Sequence, residues 1–227
     1  MTKIRDKLQI IGTEIEQAST EFRRAKNSVQ LLAVSKRHSV EAIQEAYEIG
    51  QRAFGENYVQ ELVEKAEALS KLNIEWHFIG PLQSNKTKQI ATTASWVHTI
   101  DRFKIAQRLN NQRPDDLPPL SICIQINISE EDSKSGVIPS ELAELAHKIS
   151  MLPHLRLRGL MAIPAPMSNF KKQREAFAKM SELKNQLNKQ GYKLDTLSMG
   201  MSSDMKAAIA EGATIVRIGT AIFGTRD

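Results

Sequence analysis

The 227-residue chain holds one cysteine, Cys123. A lone thiol forms no internal disulfide, so the fold is expected to need no oxidising compartment. Lying inside the apolar run 120–128, Cys123 reads as a small buried hydrophobe. Aromatic residues make up only 5% of the chain, so the core must be mostly aliphatic. No stretch approaches the length of a membrane-spanning helix, and the N-terminus lacks the apolar core of a secretory signal. Both absences set the expectation of a cytoplasmic protein with no membrane partner. The net charge of +5 arises from 31 basic and 26 acidic residues. They are interleaved, with no run of five like charges, which describes a solvated surface better than a nucleic-acid footprint. No Gly-x-Gly-x-x-Gly follows the first strand-like run, and neither a P-loop nor a Gly-x-Ser-x-Gly elbow occurs. No histidine, cysteine and carboxylate set has a metal-like spacing, so no metal is expected.

What is present is a repeating pattern. Ile4, Leu8, Ile11, Ile15, Ala18 and Phe22 fall on one face of an amphipathic N-terminal helix, suited to covering a barrel. Short apolar runs then alternate with amphipathic stretches. The runs are 30–35, 53–55, 74–79, 96–100, 120–128, 155–163, 194–199 and 214–218. Helices are expected from a Ser39 cap to Gly50, on Val59, Leu62, Val63 and Ala66, near 86–93, from Asp101, on Leu142, Leu145, Ala146 and Ile149, on Phe177 to Leu187, and over 203–211. The stretch Asp115 to Pro119 reads as a loop. Eight strands separated by helices imply a parallel sheet, because parallel neighbours need crossover connections. Eight units at this length close a barrel, so the chain is expected to be a single (β/α)8 TIM-type domain over 1–227 with an extra N-terminal helix. A doubly wound open sheet is the alternative.

In such a barrel, chemistry sits at the C-terminal ends of the strands. The first run ends in Leu31-Leu32-Ala33-Val34-Ser35-Lys36. A lysine at the top of an apolar strand has an amine that desolvation can turn into a nucleophile toward carbonyls; the plain alternative is a surface lysine. Arg217 interrupts the last apolar run and is either inward and paired or part of a rim network. Gly219 and Thr220 follow it, offering close backbone approach and a hydroxyl. Ala221 to Phe223 suit a short helix. Ser202 and Ser203 follow the seventh run, where they either cap the next helix or join Gly219 and Thr220 in a phosphate cradle, at the loops where such barrels hold phosphate. His77 alone reads as a structural histidine. These residues leave open whether Lys36 binds a cofactor or attacks a substrate in the manner of a cofactor-free Schiff-base aldolase.

The segments Ala33 to Lys36, Phe54 to Asn57, Trp76 to Lys86, Arg158 to Met161, Ser198 to Asp204 and Arg217 to Thr220 together strongly resemble the pyridoxal phosphate homeostasis protein family, small relatives of the alanine racemase barrel. Trp76 to Lys86 is the most specific piece, and the resemblance spans nearly the whole chain. It implies a fold-type III cofactor protein with pyridoxal 5′-phosphate as a Schiff base on Lys36. It further implies Arg217 at the pyridine nitrogen, phosphate held by Ser202, Ser203, Gly219 and Thr220, and a ring lined by Asn57 and Met199. It implies a part in vitamin B6 balance rather than strong catalysis, with pyridoxal-phosphate-dependent apo-enzymes as acceptors. A monomer is expected. An amino-acid racemase is the rival reading. It would need a second base, supplied in racemases by a tyrosine of a second domain. Ending at Asp227, the chain is expected to lack that domain, which leaves Tyr58 as the nearest substitute. Lys134, after the fifth strand, is a candidate for accepting the cofactor transiently during transfer.

Overall fold

The computed structural model describes residues 3–131 and 134–224. The chain opens with helix α1 (Ile4–Glu21), which buries Ile11, Ile15 and Ala18, with Ile4, Leu8 and the following Phe22 packed beside them. This is the face its periodicity specifies. Then come β1 (Gln30–Val34), β2 (Ala53–Glu56), β3 (Glu75–Phe78), β4 (Trp96–Ile100), β5 (Leu120–Ile126), β6 (Leu155–Ala162), β7 (Thr196–Ser198) and β8 (Ile215–Ile218). Each strand pairs in parallel with the next, and β8 returns to β1 through Leu32↔Arg217 and Ala33↔Ile218, closing the barrel. The crossovers carry, in turn, α2 (Val40–Glu48), α3 (Val59–Ala68), α4 (Thr87–Thr93), α5 (Phe103–Gln112), α6 (Leu142–Ser150), α7 (Phe170–Lys189) and α8 (Met205–Ala210), and the short α9 (Thr220–Phe223) follows β8. The fold is the (β/α)8 barrel with an added N-terminal helix, and α1 rests against α2, α8 and α9.

Local signals explain most boundaries. Ser39 caps α2 by accepting from the Ala42 N–H at 3.4 Å, and Gly50 supplies the positive φ of 104° that ends that turn. Two boundaries differ from expectation. The run 194–199 yields only a three-residue β7, because Leu194 is held by the Asn188 side chain, donating its N–H to Oδ1 at 2.8 Å and accepting from Nδ2 at 2.9 Å. Helix α8 begins at Met205, and the turn before it is organised by Asp204 Oδ1, which accepts from the Met201 N–H at 2.6 Å. No side-chain cap from Ser202 or Ser203 is made at that helix, and both residues stay exposed.

The main core lies between strands and helices, where Phe54, Phe78, Phe177, Ile43, Leu62, Ile90, Ile105 and Leu109 are fully buried. Each contributes about 1.5–3 kcal/mol of burial. Inside the barrel the apolar contacts are small groups, Leu32–Ala53–Ile215 and Trp96–Cys123–Met161. Barrel interiors are usually filled by branched aliphatics; here His77, His98, Ser198 and Arg217 occupy much of that space, and all are buried. Burial also pushes the Cys123 thiol up to about 12.

Candidate functional site

Lys36 stands two residues beyond the end of β1 and is half-buried. The backbone on both sides of it is fixed. Ser35 donates its N–H to Gly55 O at 3.0 Å, and its carbonyl accepts from Lys65 Nζ at 2.9 Å. Arg37, with a positive φ of 62°, donates its N–H to Glu61 Oε2 at 2.7 Å. Lys65 also bonds Glu56 Oε1 at 2.8 Å and Glu61 Oε2 at 2.9 Å, while Ser35 Oγ donates to Glu56 Oε1 at 2.7 Å. Burial raises the Glu56 carboxyl above its ordinary range, only partly offset by the bonds from Lys65 and Ser35. Burial also acts to raise Glu61, but the Arg37 N–H and Lys65 outweigh it and leave Glu61 below that range. One buried ammonium and two carboxylates thus clamp the turn that presents Lys36.

Arg217 faces the barrel interior from β8 and is 5% exposed. Its Nη1 donates to Ser198 Oγ at 2.8 Å and its Nη2 to Ala162 O at 2.9 Å. Burial lowers its pKa to about 10, so it remains charged at neutral pH. Its backbone N–H donates to Gly200 O at 2.9 Å, tying the β7–α8 loop to β8. Two residues on, Gly219 packs against β1, and a Cβ there would lie 3.1 Å from Val34 O. Through the β1–β8 register, the mouth end of β8, with Gly219 and the exposed Thr220, therefore stands beside the strand end that carries Lys36. The His38 and Phe223 rings stack at 5.0 Å across the same junction.

Ser202 lines a cleft with Ala221 and Ile11, which puts the β7–α8 loop next to α9. Asn57, directly after β2, has a buried side-chain oxygen with no hydrogen-bond partner. Its backbone is gripped by the next loop, since a Cβ on Gly80 would sit 1.9 Å from Asn57 O. Met199 follows β7 directly. It is wholly enclosed in the core. Tyr58 is exposed, and its hydroxyl accepts from Arg37 Nη2 at 3.1 Å. Lys134 lies in the β5–α6 connection, its Nζ 3.1 Å from Glu131 Oε1. Among the described residues no group of three or more histidine, cysteine or carboxylate side chains gathers as a metal site. Sequence reasoning missed His98, which bonds both His77 and Ser198. The available signal was alternation, which puts Glu75, His77, His98, Ser198 and Arg217 at inward positions of four strands.

A closed parallel barrel with a lysine after its first strand and an inward arginine on its last defines an alanine-racemase-type barrel, and the family model for the alanine racemase N-terminal domain matches residues 14–227. An alanine racemase of Clostridium difficile superposes with a TM-score of 0.78 at 13% identity, over 97% of this chain and 60% of its own; that likeness is one of fold. Within this group, the pyridoxal phosphate homeostasis protein of Vibrio cholerae is 56% identical over 231 residues, covering 100% of this chain and 98% of the relative. PipY of Synechococcus elongatus, solved with pyridoxal phosphate bound, is 37% identical with a TM-score of 0.81, over 92% of this chain and 100% of its own. The chain belongs to the pyridoxal phosphate homeostasis protein family.

Proposed function

We propose that this protein binds pyridoxal 5′-phosphate through the amine of Lys36 and takes part in intracellular vitamin B6 balance, as a cytoplasmic monomer that delivers the cofactor to apo-enzymes and has no strong catalysis of its own. The observation that carries this reading is the meeting, at one junction of the barrel mouth, of the clamped turn bearing Lys36 with the Arg217–Thr220 end of β8. The donor set fits the cofactor. Asn57 brings an unpartnered buried oxygen at the mouth. Ser202, Ser203 and Thr220 bring exposed hydroxyls. These groups would hold the phosphate, together with Gly219. The cofactor's occurrence in PipY and the names of the relatives support the same assignment.

Bound pyridoxal phosphate supplies an electron sink for carbanions. Arg217 limits it here. A guanidinium that stays charged disfavours a second positive charge on the pyridine nitrogen and so keeps that nitrogen unprotonated. This favours holding the cofactor over broad transaminase chemistry. The racemase reading draws on the fold and on Tyr58, whose hydroxyl sits one hydrogen bond from Arg37, the residue after Lys36.

The test is the visible spectrum of the purified protein beside Lys36→Ala. A yellow band, fixed by borohydride and absent from the variant, supports the reading. No band after adding pyridoxal phosphate refutes it, and borohydride adducts with small aldehydes in a colourless protein would put the aldolase in its place. Amino-acid racemisation that needs both Lys36 and the Tyr58 hydroxyl would replace storage with catalysis.

A further inference from the structure

A single file of hydrogen bonds runs through the barrel from its floor to Arg217. Glu75 opens β3 at the floor, where its side chain is 41% exposed. Its Oε1 lies 2.6 Å from His77 Nε2, His77 Nδ1 lies 2.9 Å from His98 Nε2, and His98 Nδ1 lies 2.7 Å from Ser198 Oγ. Ser198 Oγ in turn accepts from Arg217 Nη1 at 2.8 Å. The file crosses β3, β4, β7 and β8 and joins residues 142 positions apart in sequence, Glu75 and Arg217.

The two ends fix every proton between them. A guanidinium only donates and a carboxylate only accepts. Glu75 can only accept from His77 Nε2, so neutral His77 accepts at Nδ1 from His98 Nε2, and neutral His98 accepts at Nδ1 from the Ser198 hydroxyl, which itself accepts from Arg217. Neutral His98 then carries its proton on Nε2 and donates it to His77 Nδ1, and neutral His77 carries its proton on Nε2 and donates it to Glu75. Burial favours the neutral form of both imidazoles, because the interior disfavours their charge. All four bonds therefore point the same way, from mouth to floor, and aligned bonds of this kind strengthen one another. The packing around the file keeps it in place. The His77 and Trp96 rings stack at 5.5 Å and 5°, Arg158 lies 4.8 Å from the Trp96 ring, and Gln30 Nε2 donates to Glu75 Oε1 at 3.1 Å.

We propose that Ser198, His98, His77 and Glu75 form a positioning relay that sets the attitude of the Arg217 guanidinium, so that what the pyridine nitrogen meets at the mouth depends on an acceptor at the floor. This rests on the assignment of Arg217 to the pyridine nitrogen. None of the four residues behind Arg217 is assigned to contact the cofactor; they act through Arg217. An inward file of polar groups is otherwise costly in a barrel interior, and its single direction gives that cost a use.

Two measurements on the full-length protein test the relay. The first is a titration with pyridoxal 5′-phosphate followed by the visible band. Glu75→Ala, a substitution at the partly exposed floor end, should raise the Kd about fivefold, the effect of one ordinary hydrogen bond, with the apo-protein still folded by its thermal transition. Glu75→Gln should recover most of the affinity, since its amide oxygen accepts the same proton. Ser198→Ala should weaken binding in the same direction by cutting the file beneath Arg217. The second is ¹⁵N imidazole NMR. His77 and His98 should both show the Nε2–H neutral tautomer, and their nitrogens should shift when pyridoxal phosphate is added, a response a purely structural pair would not give. Wild-type binding with an unchanged Kd in Glu75→Ala, or imidazole shifts indifferent to saturation, overturns the relay while leaving the proposed function intact. A wild type that takes up no cofactor overturns the function and the relay together.

Discussion

Glu61 accepts the backbone N–H of Arg37 at 2.7 Å, while Lys65, one helical turn along α3, holds the carbonyl of Ser35 at 2.9 Å. The residue between those two anchored peptides is Lys36. An i, i+4 pair on the helix after β2 thus sets the backbone of the turn after β1.

Removing the centre of that clamp should be severe. Lys65→Met leaves the fully buried Glu56 carboxylate without its cation, and breaking a buried pair from one side costs about 3–5 kcal/mol. Urea unfolding should show a loss in that range, with weaker cofactor binding. A loss below about 1 kcal/mol, the size of a surface pair, would mean that the clamp is not structural.

The buried imidazoles predict an acid limb in stability. His77 and His98 are held below the ordinary histidine value of 6.5, both by burial first, and His98 further by His77 and Arg217. In the unfolded chain they protonate as pH falls through about 6.5, while the folded chain resists. Their contribution is therefore fully present above 6.5 and is lost as pH drops toward the lowered folded values, at up to ~1.4 kcal/mol per pH unit for each histidine. Glu56, raised by burial, works in the opposite sense. The informative comparison is between wild type and His98→Gln at pH 7.5 and 5.5, where the variant should lose less stability. Equal losses would show that His98 is not held neutral.

Thr220→Ala and Ser202→Ala should each weaken cofactor retention about tenfold or more, the effect of a hydrogen bond to a charged group, without moving the thermal midpoint of the apo-protein, because both residues are exposed. Equilibrium dialysis reads this directly. Unchanged retention in both would break the phosphate assignment.

Lys134→Ala should slow transfer of pyridoxal phosphate to an apo-enzyme and leave the Lys36 band intact, if Lys134 receives the cofactor on its way out. Stopped-flow transfer at identical rates in wild type and variant would remove Lys134 from the route.

The barrel was legible in the sequence because its strands are contiguous apolar runs; 96–100 became β4 without change. The ends of elements were less so. The length of β7 depends on the Asn188 side chain bonding Leu194, and the start of α8 on Asp204 bonding Met201. Both are side-chain-to-backbone bonds that no periodicity encodes. Lys36 and Arg217 stood out as charges closing or interrupting apolar runs. His98 did not, because its partners His77 and Ser198 lie on other strands, 21 and 100 residues away, and only the closed barrel brings them together. The ring-lining role of Met199 came only from the family resemblance, since nothing in its spacing marks it, and the residue is enclosed in the core.

Cys123 gives the molecule a built-in clock. Its sulfur is fully enclosed, and burial holds the thiol near 12, so at neutral pH the folded form offers a disulfide reagent neither access nor thiolate. Labelling must wait until the barrel opens, and because Cys123 packs between Trp96 and Met161 at the centre of the closed sheet, a local fraying of α1 or α9 will not suffice. The rate at which this one sulfur reacts thus counts how often the whole barrel comes apart, and any ligand that closes the mouth should be readable as a slowing of that count.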